Sequence, residues 1–345
     1  MRVGGSGYRS TIMTLTGSKT FVTLGMFIID EFSFTDSAGS TTSDYAAQQI
    51  GGGGTYAAIG ARIWLPPRDI GMIVDKGYDF PSDIESKLKL YGDDMWLFRS
   101  QTQAQTTRAL NIYKGDQRGF QYLTPRIRIT PRDLVKTPLE RPRSLHFICS
   151  PARASVILSE VPEIHGWNPF VIYEPIPDRC IPEELPALVA ILPSVDVLSP
   201  NAEEALSLLT TPVVHPLSRS SVEQAAARLL ELGAKDTVII RSGALGAYVL
   251  TRKAGGRWIE AFWTESDASK IVDVTGAGNS FLGGLAAGIE LNGDIFEAAF
   301  YASVSASFVI EQSGLPTVMP DNSGHWNNDS PGRRLEALKT RQKAR

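Results

Sequence analysis

The chain has 345 residues, of which 43% are hydrophobic, enough to bury a large core as one large domain or two modest ones. Its formal net charge of -3 provides no positive field for a polyanion, which argues against nucleic acid as a direct ligand. Two cysteines are too few for a disulfide framework, and no apolar run is long enough to span a membrane. The histidines lack metal-ligand spacing and are predicted to be surface or structural: His146, His165, His215 and His325. A soluble cytoplasmic protein is expected.

Residues 1–20 are predicted to be an N-terminal extension. They contain no acidic residue, are rich in Ser and Thr, and carry Arg2, Arg9 and Lys19, a composition typical of mitochondrial transit peptides. The alternative is an extension that leads directly into a buried first strand. We favour this alternative to a mitochondrial address, because the apolar run at residues 21–29 continues into Asp30 as strand ends do.

Two β-rich insertions in the first half, at about residues 30–50 and 92–130, predict a small sheet. The second insertion alternates short β-prone pieces with Gly and polar turns, a pattern typical of hairpins. Such a sheet would form a lid over the carboxyl edge of a larger sheet, where ligands of open α/β sheets bind.

The second half alternates strand-like runs with helical patterns. The strand-like runs lie at residues 144–149, 170–173, 195–198, 237–240 and 247–250, and the helical apolar repeats lie at residues 185–191 and 222–232. This alternation is typical of a parallel sheet with helices on both faces. The sequence therefore predicts an α/β fold with a doubly wound, mainly parallel sheet.

A glycine-rich turn, Asp-Val-Thr-Gly-Ala-Gly-Asn, occupies residues 273–279 and joins an apolar strand end to a helical pattern. The first amides of a helix lack intrahelical acceptors, and with the helix dipole they form an anion site at Gly276, Ala277 and Gly278. The alternative is a tight turn in which glycine serves only backbone freedom and close packing.

This segment resembles the D-T-x-G-A-G-D signature of the PfkB or ribokinase family of carbohydrate and nucleoside kinases. Three further elements resemble family features in the expected order. They are the N-x-x-E element at Asn201 and Glu204, the strand-G-x-x-G nucleotide loop at Gly243 and Gly246, and an adenine-flanking helix and turn that ends at Gly314. The resemblance covers about residues 21–320, which we expect to form one kinase domain.

The resemblance implies ATP as cofactor, with Mg²⁺ and its waters organised by Asn201 and Glu204. It also implies cation binding near Asp273, including a monovalent cation, and a homodimer through the lid. For Asn201 and Glu204 the local pattern has a second interpretation, a helix N-cap with acidic residues in the first turn, which needs no ligand.

The substrate side of the resemblance lies in the first half. Asp30 sits where family members place an aspartate that accepts hydrogen bonds from substrate hydroxyls, although a strand-end acid that faces water would look the same. Gly51, Gly52 and Gly53 resemble the glycine-rich substrate turn. Tyr56 replaces the usual asparagine, and its ring would narrow a sugar pocket or stack on a ligand face.

Asn279 stands where the family signature has a catalytic aspartate. An amide cannot take the proton of an attacking hydroxyl, and loss of a general base costs ~10²–10⁴ in rate. Two functions follow: ATP-dependent phosphotransfer to a small-molecule hydroxyl, weakened at this position, or a pseudokinase that binds nucleotide or metabolite and acts through protein partners. The variant turn, with Thr106-Thr-Arg-Ala-Leu-Asn111, resembles a fungal branch related to maintenance-of-killer proteins.

Residues 321–345 form a basic tail. Six Lys and Arg residues stand here against the single acid Glu336 from residue 333 onward. Such a run is typical of a solvated helix with a frayed end.

Overall fold

The computed structural model of the protein describes residues 18–35, 41–42, 48–114, 117–320 and 324–344. Most of the predicted N-terminal extension, with Arg2 and Arg9, lies outside this range, so the transit-peptide hypothesis stays a prediction. Lys19 lies within the described residues and is buried. Its Nζ donates to the carbonyl oxygens of Arg68 (2.8 Å) and Asp94 (2.7 Å). The folded domain therefore includes the last residues assigned to the extension.

The described strands build two sheets. They are β1 (Phe21–Thr23), β2 (Ile28–Thr35), β3 (Thr41–Thr42), β4 (Gln49–Gly51), β5 (Ile70–Gly77), β6 (Trp96–Gln101), β7 (Arg108–Lys114), β8 (Gln117–Tyr122), β9 (Ser144–Cys149), β10 (Phe170–Pro175), β11 (Val197–Leu198), β12 (Thr237–Arg241), β13 (Ala247–Thr251) and β14 (Gly255–Ile259).

The large sheet has the order β14-β13-β12-β11-β10-β9-β1-β5-β6. From β12 to β6 in this order, each strand is parallel to its neighbour. At the other edge, β13 pairs antiparallel with both β12 and β14. The register aligns Val22 with both Leu145 and Gly71, so the central β1 is paired on both sides. A strand buried on both faces appears in the sequence as a continuous apolar run, so the alternation of such runs with helical patterns could be recognised. The predicted doubly wound α/β fold is confirmed.

Helices cover both faces of this sheet. They are α1 (Gly53–Arg62), α2 (Ser82–Lys89), α3 (Pro151–Glu160), α4 (Leu185–Ile191), α5 (Ala202–Leu208), α6 (Arg219–Glu231), α7 (Ala277–Asn292), α8 (Ile295–Val309) and α9 (Pro331–Lys343). One hydrophobic core lies against α1, α2, α7, α8 and α9, and the other against α3 to α6. Within the described ranges, no helix has the length and apolarity that a membrane span requires.

Helices α1 and α7 approach each other closely, because glycines line their contact. A Cβ added at Gly283 would lie 1.8 Å from the carbonyl oxygen of Ala57, and one at Gly60 would lie 2.0 Å from that of Ser280. This backbone-to-backbone contact fixes where α7 begins relative to the glycine-rich start of α1.

The small sheet contains β3, β2, β7 and β8 in order, with β4 paired to β2. It grows from the carboxyl ends of β1 and β6, as a lid would. The prediction that residues 92–130 all belong to the lid is wrong for β6, which pairs with β5 in the large sheet. Short apolar runs look alike in a core edge strand and in a hairpin. The homodimer through the lid stays a prediction.

The C-terminal helix α9 is packed rather than solvated. Leu335 and Leu338 are buried in the core beneath it. Arg334 is also buried, with Nη2 2.6 Å from Glu311 Oε1 and Nε 2.7 Å from Asp329 Oδ2. The prediction of a solvated tail is therefore wrong for α9. It rested on the number of charges, but an arginine that is paired with acids and stacked on Phe308 can be buried.

Candidate functional site

The turn before α7 has the geometry of an anion site. Gly276 is the N-cap and adopts a left-handed conformation (φ 78°), and Ala277 begins the helix. The Ala277 N–H donates to the Val274 carbonyl at 3.2 Å, and Asp273 Oδ1 accepts from the Thr275 N–H at 2.9 Å. The turn is thereby held in place by its own bonds, while the following amides of α7 begin the helix without intrahelical acceptors.

Tyr56 packs behind this turn. A Cβ added at Gly276 would lie 2.2 Å from Cγ of the Tyr56 ring, and the tyrosine is only 3% exposed. The ring therefore supports the turn from the α1 side, and too little of it is exposed for stacking on a ligand. Of the two predicted roles of Tyr56, the geometry favours shaping the site over contacting its occupant.

Asn279 is held by a buried carboxylate that the sequence did not identify. Its Nδ2 donates to Glu174 Oε2 at 2.7 Å, and Glu174, near the end of β10, is 4% exposed. Burial by itself raises the pKa of Glu174, but the charge of Arg241, together with His146 and the Asn279 amide, holds that pKa below its usual value. The amide thus faces an ionised acceptor.

His146 and Thr23 extend this network beneath the site. His146 Nδ1 lies 2.9 Å from Thr23 Oγ1, and His146 Nε2 lies 3.7 Å from Glu174 Oε2. Within the described residues, Nε2 has no hydrogen-bond partner although the ring is fully buried. The interpretation of His146 as an ordinary structural histidine is therefore incomplete, because it borders the acid that holds Asn279.

Arg241, the last residue of β12, joins the two acids of the site. Its Nη2 lies 2.7 Å from Glu174 Oε1 and 3.6 Å from Glu204 Oε2, and it donates to the Ser199 carbonyl at 3.1 Å. A Cβ added at Gly278 would lie 1.8 Å from Arg241 Nη1. The guanidinium therefore lies directly against the anion turn, where only glycine leaves room for it.

Asn201 and Glu204 form a closed capping box at the start of α5. Asn201 donates to Glu204 through its backbone N–H (Oε2, 2.7 Å) and its Nδ2 (Oε1, 2.7 Å), and Glu204 N–H donates to Asn201 Oδ1 at 2.8 Å. The N-cap interpretation of this motif is confirmed. Burial raises the pKa of Glu204 to about 7.

These contacts bear on the predicted Mg²⁺. Both oxygens of Glu204 already accept from Asn201, and Arg241 stands beside them. In the described part of the chain, no group of three or more His, Cys, Asp and Glu residues could hold a metal ion. The donor set does not fit a directly bound divalent cation, and the predicted role of Glu204 in organising one through water stays a prediction.

A cavity of about 220 Å³ opens beside the turn. Its walls include the predicted nucleotide loop, Gly243 and Gly246, and apolar residues such as Phe262, and it reaches Gly278 at the start of α7. Arg241 is the only charged side chain among the described residues that line it. The site thus combines an apolar recess, one guanidinium and a helix N-terminus, features suited to a ligand with a flat apolar part and an anionic part.

The predicted substrate residues lie on the other side of Asn279. A Cβ added at Gly51 would lie 1.8 Å from Asp30 Oδ2, and one at Gly53 would lie 3.1 Å from Asn279 Nδ2. Gly52 adopts a positive φ of 92° close to the Met26 carbonyl. The glycines therefore allow the chain at the start of α1 to pass between Asp30 and Asn279. The predicted substrate-binding acid and the predicted catalytic-base position thus flank the same segment.

Two predicted site residues lie apart from the cavity. Asp273 caps its own turn, and Gly314 has a Cβ position 3.8 Å from Gln49 Oε1 of β4; neither lines the cavity. The cation role of Asp273 and the adenine-flanking role of Gly314 stay predictions.

The comparisons with known proteins agree with this architecture. The model of the pfkB family carbohydrate kinase matches residues 170–322. An uncharacterised protein of Schizosaccharomyces pombe is 32% identical over 343 residues, covering 92% of this chain and 91% of that protein. Protein MAK32 of Saccharomyces cerevisiae is 33% identical over 326 residues, covering 88% of each. The structure of Arabidopsis thaliana ribokinase complexed with ribose and ATP has a TM-score of 0.65 at 17% identity, covering 93% of this chain and 99% of that chain.

The nine-stranded sheet, the small sheet and the turn before α7 define a ribokinase-like fold. The chain belongs to the pfkB family of carbohydrate kinases. Its near full-length similarity to MAK32 confirms the fungal branch that the variant turn indicated.

Proposed function

We propose that this protein binds a nucleoside triphosphate, ATP, and transfers its terminal phosphoryl group slowly to a hydroxyl of a small carbohydrate or nucleoside. The observation that carries the proposal is the cavity, whose apolar walls end at Arg241 and at the N-terminus of α7. The base would occupy the apolar recess, and the phosphates would point to the turn at Gly276 to Gly278. The ribose and ATP held by the Arabidopsis ribokinase support this choice of ligands.

The acceptor would approach from the side of Asp30. This carboxylate lies against Gly51, and Gly53 lies against Asn279, so a hydroxyl bound there would face the start of α7. The hydroxyl oxygen would form the new bond to phosphorus as the bond to the leaving ADP breaks, and the hydroxyl proton would pass to an oxygen of the transferred phosphoryl group, because Asn279 cannot accept it. Positioning and charge stabilisation carry most of such a reaction, so we expect turnover without an aspartate at residue 279, lowered by ~10²–10⁴.

A specific observation favours a second function, a pseudokinase that binds the nucleotide without turnover. The Asn279 amide donates to Glu174, and Glu174 is committed to Arg241. Since these contacts hold the Asn279 amide against a buried acid, they favour a role in holding the site together over one in accepting a proton. Such a protein would act through partners that recognise its nucleotide-bound form.

The test compares three proteins: the wild type, Asn279→Asp, and Asn279→Asp combined with Glu174→Gln. Radiolabelled phosphate transfer from ATP to a panel of sugars and nucleosides is measured, with thermal stabilisation by ATP as the binding assay. Slow transfer by the wild type supports the kinase. Transfer only by the double variant, with ATP binding in all three, supports the pseudokinase. No stabilisation of any of them at millimolar ATP would rule out both.

A further inference from the structure

Arg241 is the residue whose position the proposed function does not yet explain. It is the last residue of a strand in the predicted nucleotide loop, yet its side chain leaves that loop and lies against Gly278 of the anion turn. It is also the only charged side chain among the described residues lining the cavity. Any anion bound at the start of α7 would therefore meet this guanidinium.

The guanidinium is only partly used by the protein. Nη2 is committed to Glu174 at 2.7 Å and to the Ser199 carbonyl at 3.1 Å. Nε has no acceptor among the described residues although it is buried, and Nη1 faces the Gly278 backbone. Nη1 is therefore the nitrogen that a phosphate at the start of α7 would reach, and a planar guanidinium can bind phosphate oxygens as it already binds a carboxylate.

The acid that would hold a divalent cation is, in contrast, occupied. Both Glu204 oxygens accept hydrogen bonds from Asn201, and Arg241 Nη2 lies 3.6 Å from Glu204 Oε2. A divalent ion close to Glu204 would have to displace the capping box or face the guanidinium charge. The position between Glu204 and Glu174, where a counter-ion would bind, is already occupied by the Arg241 guanidinium.

We infer that Arg241 serves as the built-in counter-ion of the polyphosphate, so that this protein binds a nucleoside triphosphate without a divalent metal. The inference rests on the proposed nucleotide site and adds to it the means by which phosphate charge is neutralised. Arg241 would bridge Glu174 and the phosphates, and the α7 amides would bind the remaining oxygens. Arg241 binds and positions the nucleotide, and the inference assigns it no proton transfer.

Isothermal titration of the full chain with ATP, in EDTA and in excess Mg²⁺, tests this inference. We expect the wild-type Kd in EDTA to stay within about threefold of its value in Mg²⁺. Arg241→Met alone would leave the buried Glu174 without the arginine that neutralises it, so the informative pair is Glu174→Gln against Glu174→Gln with Arg241→Met. These proteins differ only in the guanidinium. Its loss should weaken ATP binding in EDTA about 10- to 100-fold, as for hydrogen bonds between charged groups.

Arg257→Met is the matched control, because Arg257 is an exposed arginine of the same sheet that stacks over Phe296. It should bind ATP as the wild type does. Circular dichroism and a single unfolding transition establish that each variant is folded. Binding that needs Mg²⁺, or binding in EDTA that survives loss of Arg241, would overturn the inference while leaving the nucleotide site intact. Absence of binding in both buffers would refute the nucleotide site as well.

Discussion

Asn279→Asp is the substitution that most directly probes the site. In the wild type the Asn279 Nδ2 donates to Glu174 Oε2 at 2.7 Å. An aspartate would replace that donor with a carboxylate oxygen beside the buried Glu174. Two carboxylates so close cannot both ionise without a large cost, so the pair would share one proton, with an upper apparent pKa above the usual range.

The magnitude follows from two terms. The lost hydrogen bond to a charged acceptor is worth about 1.5–3 kcal/mol. Repulsion between unit charges 4 Å apart is about 4 kcal/mol at an effective dielectric of 20, and Arg241, 2.7 Å from Glu174, offsets part of it. We therefore expect Asn279→Asp to lower the free energy of unfolding by about 2–5 kcal/mol at pH 8.

The loss should depend on pH with a defined sign. A carboxyl pair whose folded-state pKa is raised holds its proton in acid and loses it as pH rises, so the stability of the variant relative to wild type falls as pH rises through that pKa. Urea unfolding at pH 5.5 and pH 8 measures this difference. The deficit should be larger at pH 8.

Two controls separate this effect from general damage. Adding Glu174→Gln to Asn279→Asp removes the second carboxylate and provides an amide donor, so it should recover most of the loss. Asn292→Asp alters the other end of α7, where the Asn292 amide donates to the Gly288 carbonyl, and should cost about 1 kcal/mol with little dependence on pH. Equal stability of Asn279→Asp and wild type at both pH values would refute the contact between residue 279 and the buried Glu174.

Three further substitutions test other parts of the structure by urea unfolding. Arg334→Leu should cost about 3–5 kcal/mol, because it removes the only arginine that pairs with Glu311 among the described residues and one of the two that pair with Asp329, whereas Arg333→Leu, at an exposed neighbour, should cost under about 1 kcal/mol. Equal losses would contradict the packing of α9. The added methyl group of Gly276→Ala would clash with the Tyr56 ring, whereas that of Gly255→Ala, at a similar positive φ, would enter open space. Gly276→Ala should therefore lower the free energy of unfolding by at least about 1 kcal/mol more than Gly255→Ala, and it should also abolish thermal stabilisation by ATP. Burial raises the pKa of Glu204 to about 7. The wild type should therefore lose stability relative to Glu204→Gln, by up to about 3 kcal/mol, as pH rises from 4.5 through 7. A stability difference between the two proteins that does not change with pH would refute that shift.

Much of the fold was predictable because its signals are local. The strands at residues 144–149 and 237–241 are buried on both faces, so they appear as short continuous apolar runs. The capping box of Asn201 and Glu204 and the turn at Gly276 are also local, since their partners lie within a few residues. These elements could be placed without knowing what packs against them.

The errors arose where a partner distant in sequence decides the outcome. β6 has the composition of a hairpin strand, and only its parallel pairing with β5 assigns it to the large sheet. The basic helix α9 was predicted to be solvated, but Glu311 and Asp329 neutralise Arg334 and allow it to be buried. Hydropathy counts the charge of a residue and cannot count its neutralisation by a partner elsewhere in the chain.

The sequence by itself determined the family, the glycine turn before α7 and the replacement of the expected aspartate by Asn279. Only the tertiary structure determined that Asn279 donates to Glu174, 105 residues away, and that Arg241 lies between that acid and Glu204. The reason is physical. A turn is specified by the dihedral preferences of consecutive residues, whereas a buried ion pair between strand ends exists only once the order of strands in the sheet brings those ends together.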